Sequence, residues 1–169
     1  KFSGTEKSGA MPWRGLTLAH SNESEWDKFK ANKNNEAFLD RVKIIEVKYN
    51  LRLTEEQMIY QKIIANSELK DMPVAPYSYE LLARTVIASR LTKPSEGRID
   101  EKVLIYDGQD VRDEHPNAPT VYDFLKKAKA TEGMEGLSTR VAYKILSDAA
   151  NLGEEEALDP VEILAIMKR

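Results

Sequence analysis

The stretch Val42-Lys43-Ile44-Ile45-Glu46-Val47, followed beyond Tyr49 by Thr54-Glu55-Glu56-Gln57-Met58-Ile59-Tyr60-Gln61-Lys62-Ile63-Ile64-Ala65-Asn66, carries the change of period that decides the fold. β-Branched residues on a mostly alternating face predict a strand over 42–47. Beyond it, Thr54 and Gln57 read as a capping box, and Met58, Ile59, Ile63 and Ile64 fall on one face at helical spacing. The chain therefore turns helical and stays so. Pro73 and Pro76 interrupt it, and Ser78 is placed to cap a helix carrying Leu81, Leu82, Val86, Ile87 and Leu91, which ends at the turn around Pro94. Residues 102–106 read as a short strand and 107–119 as an irregular acidic loop. Three further helices have mechanical starts: Thr120 with Asp123, Ser138 after Gly133 and Gly136, and Asp159-Pro160 with Glu162.

Working back from residue 42, Leu16-Thr17-Leu18-Ala19 is short, apolar and bounded by Gly15 and His20-Ser21-Asn22-Glu23, which predicts a buried strand whose carboxyl end points at Asn22. Trp26 and Phe29 mark a short surface helix over 24–33, and Ala37, Phe38 and Leu39 a second over 35–40. The expected fold class is mainly α with a small β portion: two strands and two short helices to about residue 50, then a helical subdomain of about five helices. Two strands do not make an independently stable sheet. Lys1 is not an initiator methionine, and residues 1–9 read as a Gly/Ser-rich loop, so the chain reads as a segment cut from a longer protein that supplies the other strands. Edges at 16–19 and 42–47 left without neighbours would invite pairing between copies.

Composition narrows the function. The 169 residues carry 25 Lys+Arg and 28 Asp+Glu, a net charge of −3, with 41% hydrophobic and 31% charged residues. That supports a real core under a well-solvated surface. The pI of about 5.6 and mean hydropathy of −0.52 give no basic footprint for nucleic acid, and no run approaches the length of a membrane span. Zero cysteines and two histidines remove disulfides, thiolate zinc sites and cysteine nucleophiles, and leave little for a metal cluster. A cytoplasmic location fits this usage. No G-x-x-x-x-G-K-[ST] loop, G-x-S-x-G elbow or calcium-loop spacing is present.

Three residues stand out as possible anion or water ligands. Asn22 follows a strand end, where open α/β sheets place ligand contacts, although an Asx residue there equally serves as a turn or helix cap. Arg41 sits between a short helix and a strand. It is suited to present a guanidinium to a neighbour's phosphate, or simply to pair with Asp40 or Glu36. Arg140 lies in the first turn after Ser138, where the helix dipole disfavours a cation unless an anion binds there; the alternative is a surface arginine reaching Glu135 or Glu132.

Several long motifs occur in order along the chain. They are Leu18-Ala19-His20-Ser21-Asn22-Glu23-Ser24-Glu25-Trp26, Asn34-Asn35-Glu36-Ala37-Phe38-Leu39-Asp40-Arg41, the run from Val103 to Tyr106-Asp107-Gly108, and Glu132-Gly133-Met134-Glu135-Gly136-Leu137-Ser138-Thr139-Arg140. Together they closely resemble the bacterial PrkA serine protein kinases over essentially the whole chain. The resemblance implies the last part of an AAA+ nucleotide-binding module: residues 1–50 as the end of the α/β core and 51–169 as the helical lid, with the Walker elements upstream. It implies that Asn22 is the sensor-1 residue, Arg41 an arginine finger offered to a neighbouring subunit, and Arg140 the sensor-2 arginine of the lid. It further implies ATP and Mg in the parent protein with neither bound by this segment alone, a protein substrate, a homo-oligomeric parent, and no nucleic-acid or membrane partner. Two other readings stay open: an AAA+ ATPase that remodels or unfolds a protein client, and a non-catalytic helical interaction domain.

Overall fold

The computed structural model describes residues 14–113, 115–128, 131–152 and 157–168. The expected loop over residues 1–9 lies outside them. The chain divides into two compact units, residues 1–45 and 46–169.

In the first unit, α1 (Glu23–Ala31) is followed by a single 3₁₀ turn, Lys33–Asn35, and by α2 (Glu36–Leu39). Neither helix contributes a buried residue. What holds the unit locally is aromatic: Trp26 stacks on Phe29 with ring centroids 5.6 Å apart, and Phe29 meets Phe38 edge-on at 5.5 Å. Asn35 Nδ2 donates to the Phe29 carbonyl and ties the turn to α1.

The second unit is a helical assembly of α3 (Leu53–Ala65), α4 (Ser78–Arg90), α5 (Ile99–Tyr106), α6 (Val121–Lys127), α7 (Thr139–Leu152) and α8 (Pro160–Met167). Helix α4 packs on α3, α5 and α8, and α7 packs on α8. Its core is one cluster to which α3 gives Leu53, Tyr60 and Ile64; α4 gives Leu82, Ala83, Val86 and Ile87; and α7 gives Ala142, Leu146 and Ala149. Leu91, Val103, Leu158 and Ile163 complete it. Each large aliphatic side chain buried here contributes about 1.5–3 kcal/mol. Leu158 also forms an isolated parallel bridge with Val74, and its carbonyl accepts from the Ala75 amide and the Ser78 hydroxyl.

Several local expectations need correction. Residues 16–19 and 42–47 form no strand: Leu16, Leu18, Ile44, Ile45 and Val47 are all more than half exposed, and no β ladder occurs among the described residues. A strand requires a neighbour for its amides and carbonyls, and neither stretch has one here. Residues 102–106 are helical rather than extended. Glu101 Oε2 accepts the Arg98 amide at the helix start, and Lys102, Val103 and Ile105 are buried together, so tertiary burial overrides the β-branched pattern. The stripe of α3 that faces inward is Leu53, Glu56, Tyr60 and Ile64, leaving Met58 exposed. Glu56, a charged residue in an apolar register, disguised that face. Ser78 does not cap α4; its hydroxyl is buried against Leu158, and Tyr77 precedes the helix with φ 67°. By contrast Thr120 with Asp123 and Asp159 with the Val161 amide cap as expected.

Thr54 does not cap α3 with Gln57 either. Its amide and hydroxyl both donate to Asp107 Oδ1, at 2.8 and 2.9 Å, so the residue that follows α5 caps the start of α3 across 53 positions of sequence. Burial pushes the Asp107 carboxyl up, but the Thr54 amide and hydroxyl, with Gln109, more than offset this and hold it below its ordinary range. Asp107→Ala is expected to cost about 1–2 kcal/mol in urea unfolding at neutral pH. Because folding depresses this pKa, the carboxylate's contribution is complete above the unfolded-state value and is lost as pH falls through the folded-state value. The stability difference between wild type and Asp107→Ala should therefore shrink in acid.

Candidate functional site

Arg140 is the second residue of α7, and its position is set by a turn with little freedom. Gly133 and Gly136 both take positive φ, 80° and 110°. At Gly136 the chain passes so close to α4 that a Cβ would lie 2.6 Å from the Ser89 carbonyl oxygen. The Leu137 amide donates to Ser89 Oγ at 2.9 Å, the Gly133 amide donates to the Arg90 carbonyl, and the Gly133 carbonyl accepts from the Tyr49 amide. Ser138 Oγ then accepts the Val141 amide at 3.4 Å, so the predicted start of α7 is present. Arg140 is exposed, and among the described residues its guanidinium pairs with no carboxylate. Glu132, one of the partners considered for it, is committed elsewhere.

That commitment is a buried cluster. Glu132 is 3% exposed and accepts from Lys102 Nζ at 2.8 Å, from the Thr92 hydroxyl and from the Tyr106 hydroxyl. Lys102 also donates to the Thr92 carbonyl. Burial raises the Glu132 pKa, yet the bonds from Lys102, Thr92 and Tyr106 prevail and leave it lowered. Tyr106 shifts upward, through burial first and then its bond to Glu132. The cluster clamps the segment ahead of α7 to α5.

A second buried pair lies on the other side of the same turn. Arg90 makes a two-pronged ion pair with Glu56, both contacts at 2.9 Å and both side chains fully buried. Arg90 Nε donates to the Leu137 carbonyl at 2.9 Å, Nη1 to the Asn50 carbonyl at 2.8 Å, and its guanidinium lies 4.8 Å from the Tyr49 ring centroid. Neither pair was anticipated from the sequence. The available signal was a charged residue standing in an apolar helical register: Glu56 between Leu53 and Tyr60, and Arg90 following Val86 and Ile87.

The other two candidates belong to the first unit. Asn22 caps α1: its Oδ1 accepts the Glu25 amide at 2.8 Å and the Ser24 hydroxyl at 3.2 Å. Its Nδ2 has no partner among the described residues, so it is the amide's donor that stays available. Arg41 follows α2, is exposed, and pairs with neither Asp40 nor Glu36. No hydrogen bond joins it to Asn22, and both stand in a different unit from Arg140. Among the described residues no group of His, Cys, Asp or Glu converges as a metal site, and no helix is long and apolar enough to cross a membrane.

Residues 1–98 match the family model for the PrkA AAA domain, and residues 101–169 match that for the PrkA serine protein kinase C-terminal domain. The chain belongs to the PrkA family. It is 46% identical over 169 residues to the serine/threonine kinase YeaG of Escherichia coli K12, covering 99% of this chain and 26% of that protein. It is 36% identical over 155 residues to the ATP-dependent protease PrkA of Bacillus subtilis, covering 90% of this chain and 24% of that protein. The chain thus spans about a quarter of the length of these curated relatives. No solved structure matches it.

The turn that carries Arg140 makes a direct stability prediction. Gly136→Ala sets a Cβ against the Ser89 carbonyl in a backbone region that L-residues avoid, and should destabilise the helical unit by about 1–3 kcal/mol. Thermal unfolding followed by circular dichroism would read this. Gly108→Ala, at φ 88° but with nothing within 4 Å of the added Cβ, should cost less.

Proposed function

We propose that this chain is the sensor and lid portion of an ATP site in a PrkA-type serine protein kinase, completed by residues upstream of Lys1. The observation that carries the reading is Arg140: a cation in the first turn of α7, behind a tightly bonded turn and without a carboxylate partner among the described residues, where the helix amides favour an anion. The donor sets fit polyphosphate oxygens, since the groups left available at Asn22, Arg41 and Arg140 are all N–H donors. Bound ATP with Mg would supply the transferable phosphoryl group. Asn22 would offer Nδ2 as the sensor-1 donor, its Oδ1 being engaged in the cap. Arg41 would serve as the finger toward a neighbouring subunit of a homo-oligomer, and Arg140 as sensor 2 within its own subunit. In this reading residues 1–50 end the α/β core and 51–169 form the lid. The two family models meet near residue 100, inside the proposed lid. The exposed aliphatics of 16–19 and 42–47 are then strand residues whose partners lie in the upstream core. The substrate is a protein serine, the setting is cytoplasmic, neither nucleic acid nor membrane is a partner, and the segment alone is inactive.

A second reading is favoured by the name of the Bacillus subtilis relative, an ATP-dependent protease: ATP turnover would then drive unfolding of a protein client. Transfer of the γ-phosphate of labelled ATP to a protein serine by the full-length protein supports the kinase reading. ATP hydrolysis with client degradation or unfolding, and no labelled protein, supports the other.

In the full-length protein, Arg41→Ala should lower ATP turnover by about 10³-fold or more with little change in nucleotide affinity, as for an arginine supplied in trans. Arg140→Ala should weaken both. Steady-state turnover and nucleotide titration separate the two effects; if both variants behave as wild type, the helical interaction domain becomes the better description.

A further inference from the structure

We propose that Arg90 is a positioning residue for Arg140: through its buried pair with Glu56 it locks the turn that aims the lid arginine. The inference rests on the ATP-site reading above. Arg90 holds three pieces of chain at once. Its guanidinium is fixed in plane by the two oxygens of Glu56 on α3. From that fixed plane Nη1 reaches the Asn50 carbonyl and Nε reaches the carbonyl of Leu137, three residues ahead of Arg140. Its own carbonyl accepts from Gly133, whose carbonyl in turn takes the Tyr49 amide. The turn 133–137 is thus pinned at both ends to the C-terminus of α4, and the stretch 49–50, where the helical unit begins, is pinned to the same side chain.

This arrangement exceeds what stability alone requires. A buried ion pair is often no more stabilising than apolar residues of similar volume, so its weight here lies in the geometry it fixes. Here the specified geometry is the register between the chain entering the lid and the turn that presents Arg140. A guanidinium can satisfy a two-pronged carboxylate and two carbonyls in one plane, whereas an ammonium, a point donor on a flexible stem, cannot. Arg90→Lys therefore keeps the buried charge and loses the geometry.

The test uses the full-length protein and reads the KM for ATP. Arg90→Lys should raise that KM about tenfold, the scale of a misplaced contact. The double variant Arg90→Lys/Arg140→Ala should be no weaker than Arg140→Ala alone, because nothing remains to be positioned. An unchanged KM in Arg90→Lys beside a raised one in Arg140→Ala overturns the proposal while leaving the lid reading intact, and additive losses in the double variant overturn it equally. If Arg140→Ala itself leaves the KM unchanged, the lid reading fails and takes the proposal with it. Should Arg90→Lys fail to fold, Ser89→Ala carries the test: Ser89 is exposed, and its hydroxyl holds the Leu137 amide without touching the ion pair. It should raise the KM about two- to threefold, again only when Arg140 is present. A wild-type KM in Ser89→Ala would then count against the proposal.

Discussion

The register of the helical unit rests on one ion pair, Glu56 with Arg90, buried without solvent contact between α3 and α4. Removing water from two charges is costly, and the cost is met because nearly every hydrogen-bonding direction of both groups is filled: the carboxylate by the guanidinium and Asn50 Nδ2, the guanidinium by the carboxylate and two backbone carbonyls. The surrounding apolar cluster would pack α3 on α4 without them. What the pair adds is register, since sliding either helix would leave a charge stranded in a medium that cannot solvate it.

A second polar cluster, Lys102 with Glu132, Thr92 and Tyr106, does the same work on the opposite flank, tying α5 to the segment that leads into α7. The turn 131–138 therefore runs between two buried networks, each neutral as a whole and each reaching it through side chains from other helices. The arginine at the head of α7 is thus positioned by the scaffold, and among the described residues it pairs with no carboxylate. The same economy does not extend to residues 14–45. There the helices bury nothing, and aromatic contacts with local caps and turns order them.

How much of this was legible in the sequence follows from the range of each interaction. Local devices read well: Asp123 after Thr120 and Asp159 before Pro160 act within a turn of where they stand. Asn22 read correctly as a possible cap for the same reason. The motifs around Asn22, Arg41 and Arg140 were enough to place the chain in its family. Long-range partners did not read. Thr54 looked like a cap for its own helix, but Asp107 had the better geometry from the far side of α5. Ser78 had the residue type of a cap and was instead drawn inward to Leu158. Val103 and Ile105 had the β-branched look of a strand, and burial of Lys102, Val103 and Ile105 together made them a helix. Glu56 and Arg90 drew no reading as a pair, because nothing local tells a solvated carboxylate from one whose partner lies 34 residues away.

The clasp at Leu158 has a consequence for how the chain reaches this state. Leu158 meets Val74, Ala75 and Ser78, the last of them 80 positions earlier in the chain, and Ile163 and Leu158 close the core that α3 and α4 only begin. During synthesis, which runs from the amino end, α3 and α4 emerge with their apolar faces open and wait for most of the remaining helical unit before those faces are covered. The helices themselves form quickly, so the slow event is the arrival and docking of the last segment. Until then the nascent protein leaves part of the apolar surface of α3 and α4 uncovered.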